Sequence, residues 1–219
     1  MLVSQNQITI PEDQKTNKFA DLELFKMLLQ PHFLFNSLNN LYALSVKQSD
    51  QTTSAIAGLS ELLEKVVSSS RQEYIPLSQE VELIRDYIKL ERIWLGETTF
   101  LLDFQVSGDI DHIMVPPLLL YTFVENCFKH GIRKCSVDAW TTIKVEVKKN
   151  NLFFTSKNLV PVWQEGPETS ENKHSGLGVI AAREMLEQKC CGNYELINTL
   201  NGNVYSVDLR IDHLNKISA

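Results

Sequence analysis

The spacing of apolar residues changes near residue 100 of the 219-residue chain, and this change limits the fold more than any other feature. Before that point apolar residues recur every three or four positions, which predicts helices over residues 19–47, 53–69 and 78–95. After it, apolar and polar residues alternate, which predicts strands over residues 100–106, 143–147, 152–155, 194–198 and 204–211. The order indicates an α+β fold, with a helical part followed by a sandwich of strands and helices.

Turn and cap residues refine this prediction. Pro116-Pro117 and Gly131 bracket a helix of about 14 residues, following the preference for proline at helix starts and glycine after helix ends. A further helix is predicted over residues 179–188, and Ser78 is the predicted N-cap of the third helix. The pair Asn150-Asn151 suits a tight hairpin turn between two strands.

The composition excludes some classes of function. With 21 Lys and Arg against 27 Asp and Glu and no basic block, we expect no direct binding of nucleic acid or anionic membranes. The four cysteines show no C-x-x-C spacing, which favours a reducing cytoplasmic location over a disulfide or zinc framework. The chain also lacks an uninterrupted apolar run of about 18 residues, so we predict a soluble chain.

The segment VENCFKHG predicts one varied polar helix face, made by Glu125, Asn126, Lys129 and His130. An amide oxygen such as that of Asn126 suits Mg²⁺ already held by phosphates, and a nearby Lys and His suit phosphate oxygens. The alternative is an ordinary solvated face of an amphipathic helix.

The segment SGLGV, directly before a helical pattern, contains Gly176 and Gly178. Glycines allow a ligand to approach the backbone closely, and the N–H groups of a helix start attract anions. The alternative is a simple turn.

The segment QPHFLFN places Pro31 within a helical pattern and His32 directly after it. A proline inside a helix costs roughly 3 kcal/mol, which something should offset. Pro31 at the first position of a new helix would need no such explanation, and His32 alone could be an ordinary surface or core histidine.

Four blocks in this order resemble the LytS-like family of bacterial sensor histidine kinases, and the resemblance covers about residues 19–211. The blocks are QPHFLFNSLNNL (30–41), PLSQEVELIRDYIKLER (76–92), PPLLLYTFVENCFKHG (116–131) and SGLGVIAAREML (175–186). The resemblance implies a helical dimerisation and phosphoacceptor region followed by a catalytic domain with the Bergerat ATP-binding fold.

The resemblance also implies roles. His32 looks like the phosphorylated histidine, Glu125 like a group that orients or deprotonates it, and Asn126 like the Mg²⁺ ligand. The residues that resemble nucleotide contacts are Lys129, His130, Asn158, Gly176 and Gly178, and residues 161–175 would form the ATP lid. The implied partner is the receiver domain of a response regulator, and we hypothesise that Pro31 loosens the helix and exposes His32.

The sequence departs from the family pattern at several ATP contacts. Asn158 stands where many members have an Asp that receives the adenine amino group, and an amide gives a weaker hydrogen bond than a carboxylate. Ala181 and Met185-Leu186 replace an Asn and an Arg-Leu pair, with Arg183 two positions early. Nucleotide affinity is therefore expected to be low.

We predict a loose leader over residues 1–17, a helical phosphotransfer region over 18–96 and an ATP-binding domain over 97–219. A homodimer is expected, with Ile56, Leu59, Leu63 and Val66 at its seam. The resemblance also implies a membrane-spanning sensor region upstream in longer members, which would put this part at the cytoplasmic face. Two alternatives stay open: a nucleotide-poor pseudokinase acting as a dimeric scaffold, and a Bergerat-fold ATPase that does not use His32.

Overall fold

Residues 31–96 are mainly helical, as predicted. The computed structural model describes residues 31–96, 100–135, 139–161 and 177–214. Its first helices are α1 (Pro31–Val46), α2 (Thr52–Ser70) and α3 (Leu77–Leu95). The prediction of Ser78 as the N-cap of α3 is wrong, because Pro76 occupies that position and the Ser78 amide donates to the carbonyl of Ile110 at 3.1 Å.

The second half contains a mixed five-stranded sheet in the order β2-β4-β5-β7-β6. Its strands are β2 (Phe100–Ser107), β4 (Ala139–Lys148), β5 (Asn151–Leu159), β6 (Tyr194–Asn201) and β7 (Val204–Ile211). Strands β2 and β4 run parallel, and the other neighbours are antiparallel. Sequence alternation missed two short strands, β1 (Ile75–Pro76) and β3 (Met114–Val115), which pair antiparallel.

Helices cover one face of this sheet. They are α4 (Leu119–Asn126), which continues into a π-helical turn (Cys127–Ile132), and α5 (Leu177–Cys190). Phe123 of α4 packs on Phe154 of β5 with ring centroids 5.7 Å apart, and Ala182 and Leu186 of α5 are buried in the same core. The predicted α+β class is confirmed: helices come first, then a mixed sheet packed against helices.

The turn between β4 and β5 lies one residue earlier than predicted. Lys149 and Asn150 both have positive φ, 51° and 66°, while Asn151 already pairs with Lys148 as the first residue of β5. Two successive residues with positive φ match the right-handed twist of a tight hairpin. Strand β5 also continues through Leu159, so Asn158 belongs to the sheet and not to a loop.

Helix α3 contacts both halves of the molecule. Its Asp86 pairs with Lys65 of α2, with Nζ and Oδ2 2.5 Å apart. On its other side, the Tyr87 ring meets the rings of Tyr121 and Phe128 edge-on, with centroids 5.2 and 5.4 Å apart. The proposed domain boundary between residues 96 and 97 stays a prediction, and α3 is the element that joins the two parts.

Helices α1 and α2 expose apolar side chains. Phe35 and Tyr42 are 66% and 72% exposed, and Leu38 and Val46 lie on the same face of α1. The predicted seam on α2 is split by the fold, because Leu59 and Val66 are buried within the chain while Ile56 is exposed. Among the residues that the structure describes, no helix is both long and apolar enough to cross a membrane.

Candidate functional site

Helix α4 begins without a cap of its own. Pro116 and Pro117 have no backbone N–H, Leu118 has a left-handed backbone (φ 65°), and no side chain at this end caps the helix locally. The buried carboxylate of Glu80, from α3, fills this role. It accepts hydrogen bonds from the amides of Leu118 (2.8 Å), Leu120 (3.0 Å) and Tyr121 (3.0 Å).

The other end of α4 carries the polar residues identified in the sequence. Glu125 and Asn126 are its last two residues, and Lys129 and His130 lie in the π-helical turn. Such turns occur frequently at functional sites because they re-aim side chains within a helix. Gly131 does not follow the helix as predicted but lies within this turn.

Asn126 lies against the glycine-containing segment. A Cβ atom at Gly178 would be 2.9 Å from Asn126 Nδ2 and 3.2 Å from Thr122 Cγ2, which is closer than side chains normally approach. A side chain at position 178 would therefore require the side chains of Thr122 and Asn126 to move, so glycine suits this close packing of α5 on α4. The fold brings together two motifs that lie far apart in the sequence, the candidate Mg²⁺ ligand and the candidate phosphate loop.

Asn158 lies below the π-helical turn. Its side chain is buried, and its Nδ2 donates to the carbonyl of Leu159 at 3.1 Å. A Cβ atom at Gly131 would be only 2.5 Å from Asn158 Nδ2 and 2.9 Å from the Leu159 oxygen. The turn carrying Lys129 and His130 therefore rests directly on Asn158, and glycine at 131 is what permits the contact.

A small buried polar group lies beside Asn158. Thr141 and Ser156 are buried on β4 and β5, and the Thr141 hydroxyl donates to the carbonyl of Lys157 at 3.0 Å. Burial raises the pKa of the Cys127 thiol, while hydrogen bonds with Thr141 and Ser156 act in the opposite direction. The sheet beneath the π-helical turn is thus polar at this point, unlike the apolar core around Phe154. Buried polar groups need partners, so this group favours one local arrangement.

A buried ion pair joins α3 to the residue after the π-helical turn. The Arg133 guanidinium donates two hydrogen bonds to the Glu91 carboxylate, from Nε to Oε2 at 3.1 Å and from Nη2 to Oε1 at 2.6 Å. Glu91 is fully buried, and the guanidinium also lies 5.6 Å from the centre of the Trp94 ring. Sequence reasoning did not predict these buried contacts of Glu80 and Glu91. A signal was available, because both are acidic residues on the otherwise apolar face of α3, and buried acidic residues are rare unless they have a partner.

The surroundings change the pKa values of two candidate residues. Burial raises the pKa of Glu125, an effect opposed by Lys129 and Arg133 and reinforced by Glu91. Burial, together with Lys129 and Lys134, lowers the pKa of His130 to about 4. His130 is therefore neutral at physiological pH, with one ring nitrogen able to accept a hydrogen bond and the other able to donate one.

The residues that depart from the family pattern contribute to packing in this structure. Arg183 donates to the carbonyl of Leu196 on β6 at 3.4 Å. Leu186 is fully buried, and Met185 is partly buried against the same core. These contacts fix α5 on the sheet, and a nucleotide role for Ala181 or Met185 stays untested.

Some predicted residues fall outside the described part. His32 is the second residue of α1 as described, but its side chain lies outside the described residues, as do residues 1–30 before it. Gly176 and residues 162–175 of the predicted lid also lie outside them. The roles of His32, Pro31, Gly176 and the lid stay predictions.

Asn126 can bind Mg²⁺ only together with other ligands, which a bound nucleotide and water would supply. In the described residues, no group of three or more His, Cys, Asp or Glu side chains could hold a metal ion. Mg²⁺ in phosphoryl-transfer sites retains waters and needs few protein oxygens, because the phosphates supply the others. One half-buried amide beside a glycine that admits close approach suits an ion that arrives with a nucleotide.

Comparisons with known proteins agree with the motifs. A family model described as histidine kinase matches residues 20–99. Sensor protein LytS of Enterococcus faecalis is 26% identical over 183 residues, covering 80% of this chain and 29% of that protein. Sensor histidine kinase YpdA of Escherichia coli is 29% identical over 168 residues, covering 74% of this chain and 29% of that protein. The chain spans less than a third of the length of these curated relatives.

Among solved structures, a blue-light activated histidine kinase from Erythrobacter litoralis aligns with 94% of this chain and 61% of its own length. The sequence identity is 15% and the TM-score is 0.47.

Proposed function

We propose that this chain is a member of the LytS-like family of sensor histidine kinases and forms the ATP-dependent kinase portion of a two-component sensor. In this proposal His32 is autophosphorylated and passes the phosphoryl group to an aspartate of a response regulator. The observation that carries the proposal is the close packing of Gly178 on Asn126, which joins the two motifs that the chemistry needs in one place.

The proposed reaction is an in-line displacement. A neutral imidazole nitrogen of His32 attacks the γ-phosphorus of ATP, forming a nitrogen–phosphorus bond. The bond from that phosphorus to the β,γ-bridging oxygen breaks, and ADP leaves. Glu125 orients the imidazole or accepts its proton, and burial raises the pKa of its carboxyl, which makes the carboxylate a stronger base.

The other residues serve to position the nucleotide. We assign the phosphates to Lys129 and to the backbone at Gly176 and Gly178, and the base to Asn158 and His130. Asn126 would hold Mg²⁺, which neutralises charge on the phosphates when bound. Phosphoryl transfer requires mainly positioning and charge neutralisation, so no covalent intermediate on this domain is needed.

We propose partners and a location from the same resemblance. We propose a homodimer in which the exposed α1 face of Phe35, Leu38, Tyr42 and Val46 meets a second copy. The receiver domain of a response regulator is the second proposed partner. The relatives are sensor proteins more than three times the matched length, so we place this portion at the cytoplasmic face of the membrane, downstream of a sensor region.

A pseudokinase is the second candidate, and Asn158 favours it. Its Oδ1 can accept a hydrogen bond from the adenine amino group, but an amide oxygen lacks the charge of the carboxylate found there in many members. The third candidate, an ATPase independent of His32, has no specific observation in its favour.

Incubation with Mg²⁺ and γ-labelled ATP tests the proposal. We expect label on the protein that is acid-labile and base-stable, lost in His32→Gln and retained in His112→Gln. His112 is a suitable control because it is an exposed histidine that pairs with Asp109 and lies outside the four motif blocks.

Each other outcome selects an alternative. Absence of Mg²⁺-ATP binding, measured by calorimetry, would favour the pseudokinase. ATP hydrolysis that persists in His32→Gln without protein labelling would favour the ATPase. Transfer of label from the wild-type protein to a receiver domain, and none from His32→Gln, would support the response-regulator partnership.

A further inference from the structure

Helix α4 depends on a residue from another helix for its N-terminus. A helix start leaves its first N–H groups without partners, and an Asp or Glu in the first turn normally supports them. Helix α4 has no acidic residue there, and the two preceding prolines offer nothing to replace it. Glu80 accepts three of these N–H groups at 2.8 to 3.0 Å, so α3 supplies the cap.

Glu80 is fully buried, and its hydrogen-bond partners in the described structure are these backbone amides. Burying a carboxylate is costly unless its oxygens are hydrogen-bonded. Three N–H donors and the positive end of the α4 dipole offset that cost. The arrangement gives α4 one favoured position along α3, because displacement would leave both the carboxylate and the amides without partners.

The position of α4 matters at its opposite end. Thr122 and Asn126 lie one turn apart on α4, and both face Gly178 with almost no spare space. A short helix moves as a rigid body, so a displacement at Leu118 reaches Asn126. A shift of a few tenths of an ångström would either open the contact with Gly178 or press the side chains of Thr122 and Asn126 against the Gly178 backbone.

We propose that Glu80 is a positioning residue of the kinase reaction: by capping α4 from α3, it fixes Asn126 against the Gly178 turn where Mg²⁺-ATP binds. This inference rests on the proposed function for the identity of the ligand. Glu80 does not touch the nucleotide, and its effect passes through the backbone of α4.

The test compares Glu80→Gln with Glu82→Gln. Both remove one carboxylate from α3, but Glu82 is exposed. Glutamine has the shape of glutamate, but its amide group cannot accept from the backbone N–H groups that the second carboxylate oxygen serves. We expect roughly tenfold faster amide exchange over residues 118–132 in Glu80→Gln, with β4 and β5 unchanged.

The second measurement is calorimetric affinity for Mg²⁺-ATP, made well below the melting temperature of each variant. We expect Glu80→Gln to weaken binding by roughly tenfold and Glu82→Gln to leave it unchanged. A residue that only stabilised the fold would lower the melting temperature without changing the affinity of the folded protein. Glu80→Asp, which keeps the charge but is one methylene shorter, serves if Glu80→Gln does not fold.

Unchanged exchange over residues 118–132, or exchange raised equally throughout the chain, would overturn the positioning role. Wild-type affinity retained in Glu80→Gln would also overturn it. If the wild-type protein itself does not bind Mg²⁺-ATP, the proposed function fails, and the exchange measurement still decides whether Glu80 positions α4.

Discussion

Helices α1 and α4 have similar apolar patterns but opposite surroundings. Phe35 and Tyr42 of α1 are 66% and 72% exposed, whereas Phe123 and Phe128 of α4 and its π-helical turn are 1% and 0% exposed. The sheet covers α4 within one chain, while in the described residues nothing comparable covers this face of α1. An amphipathic pattern indicates that the apolar face of a helix packs against another surface, but not whether that surface belongs to the same chain or to another one.

The largest effect should follow from opening the core of the sheet region. Phe128→Ala removes a ring that packs on Tyr87 and Phe100, so we expect a loss of about 3 to 5 kcal/mol in the free energy of unfolding, measured by urea denaturation. The matched change on α1, Phe35→Ala, should cost no more than about 0.5 kcal/mol at low protein concentration. Equal losses would show that the two regions do not differ as described.

Breaking the buried ion pair should have the next largest effect. Arg133→Met leaves the Glu91 carboxylate buried without its partner, and we expect a loss of about 3 kcal/mol. Arg85→Met, at an exposed position of α3, should be nearly neutral. The double variant with Glu91→Leu should recover part of the loss, because it removes the stranded charge; no recovery would contradict this explanation.

Gly131→Ala should destabilise the sheet region by about 1 to 3 kcal/mol. The added methyl group would collide with the Asn158 side chain and the Leu159 carbonyl. Gly58→Ala on α2 is the control, since its Cβ would lie at an ordinary 3.7 Å from Leu90 Cδ1. That change should stabilise α2 by up to about 1 kcal/mol in thermal unfolding. A neutral Gly131→Ala would show that the turn can move away from β5.

Tyr42→Ser should change self-association more than stability. We expect weaker dimerisation by sedimentation equilibrium, with the monomer's free energy of unfolding changed by no more than about 0.5 kcal/mol. Leu101→Ser is the control, because Leu101 is equally exposed but lies on β2 of the sheet region. If Leu101→Ser weakens the dimer and Tyr42→Ser does not, the proposed α1 interface is wrong.

The smallest effect concerns pH. The pKa of His130 is lowered from 6.5 to about 4 in the folded chain, so its neutral form is favoured there. Its contribution to stability is therefore present above about pH 6.5 and is lost as the pH falls towards 4. His130→Asn should reduce the fall in melting temperature across this range; an identical fall in the variant would show that His130 does not contribute.

The sequence determined the class of fold and the approximate position of each longer element. Periodicity and turn residues act over a few positions, so the helices, the five strands of the main sheet and the hairpin could be read directly, with an error of one residue at the turn and of up to four residues at the strand ends. The order of the motifs likewise indicated a resemblance to the LytS-like family and pointed to the candidate residues Glu125, Asn126, Lys129 and His130.

Only the tertiary structure decided which distant residues meet. It placed Glu80 at the start of α4, Gly178 against Asn126, and Gly131 on Asn158. It also buried Leu59 and Val66, which periodicity had grouped with the exposed Ile56. The physical reason is that local patterns state how each element presents its side chains, whereas a buried carboxylate or a close glycine contact depends on how two elements pack against each other.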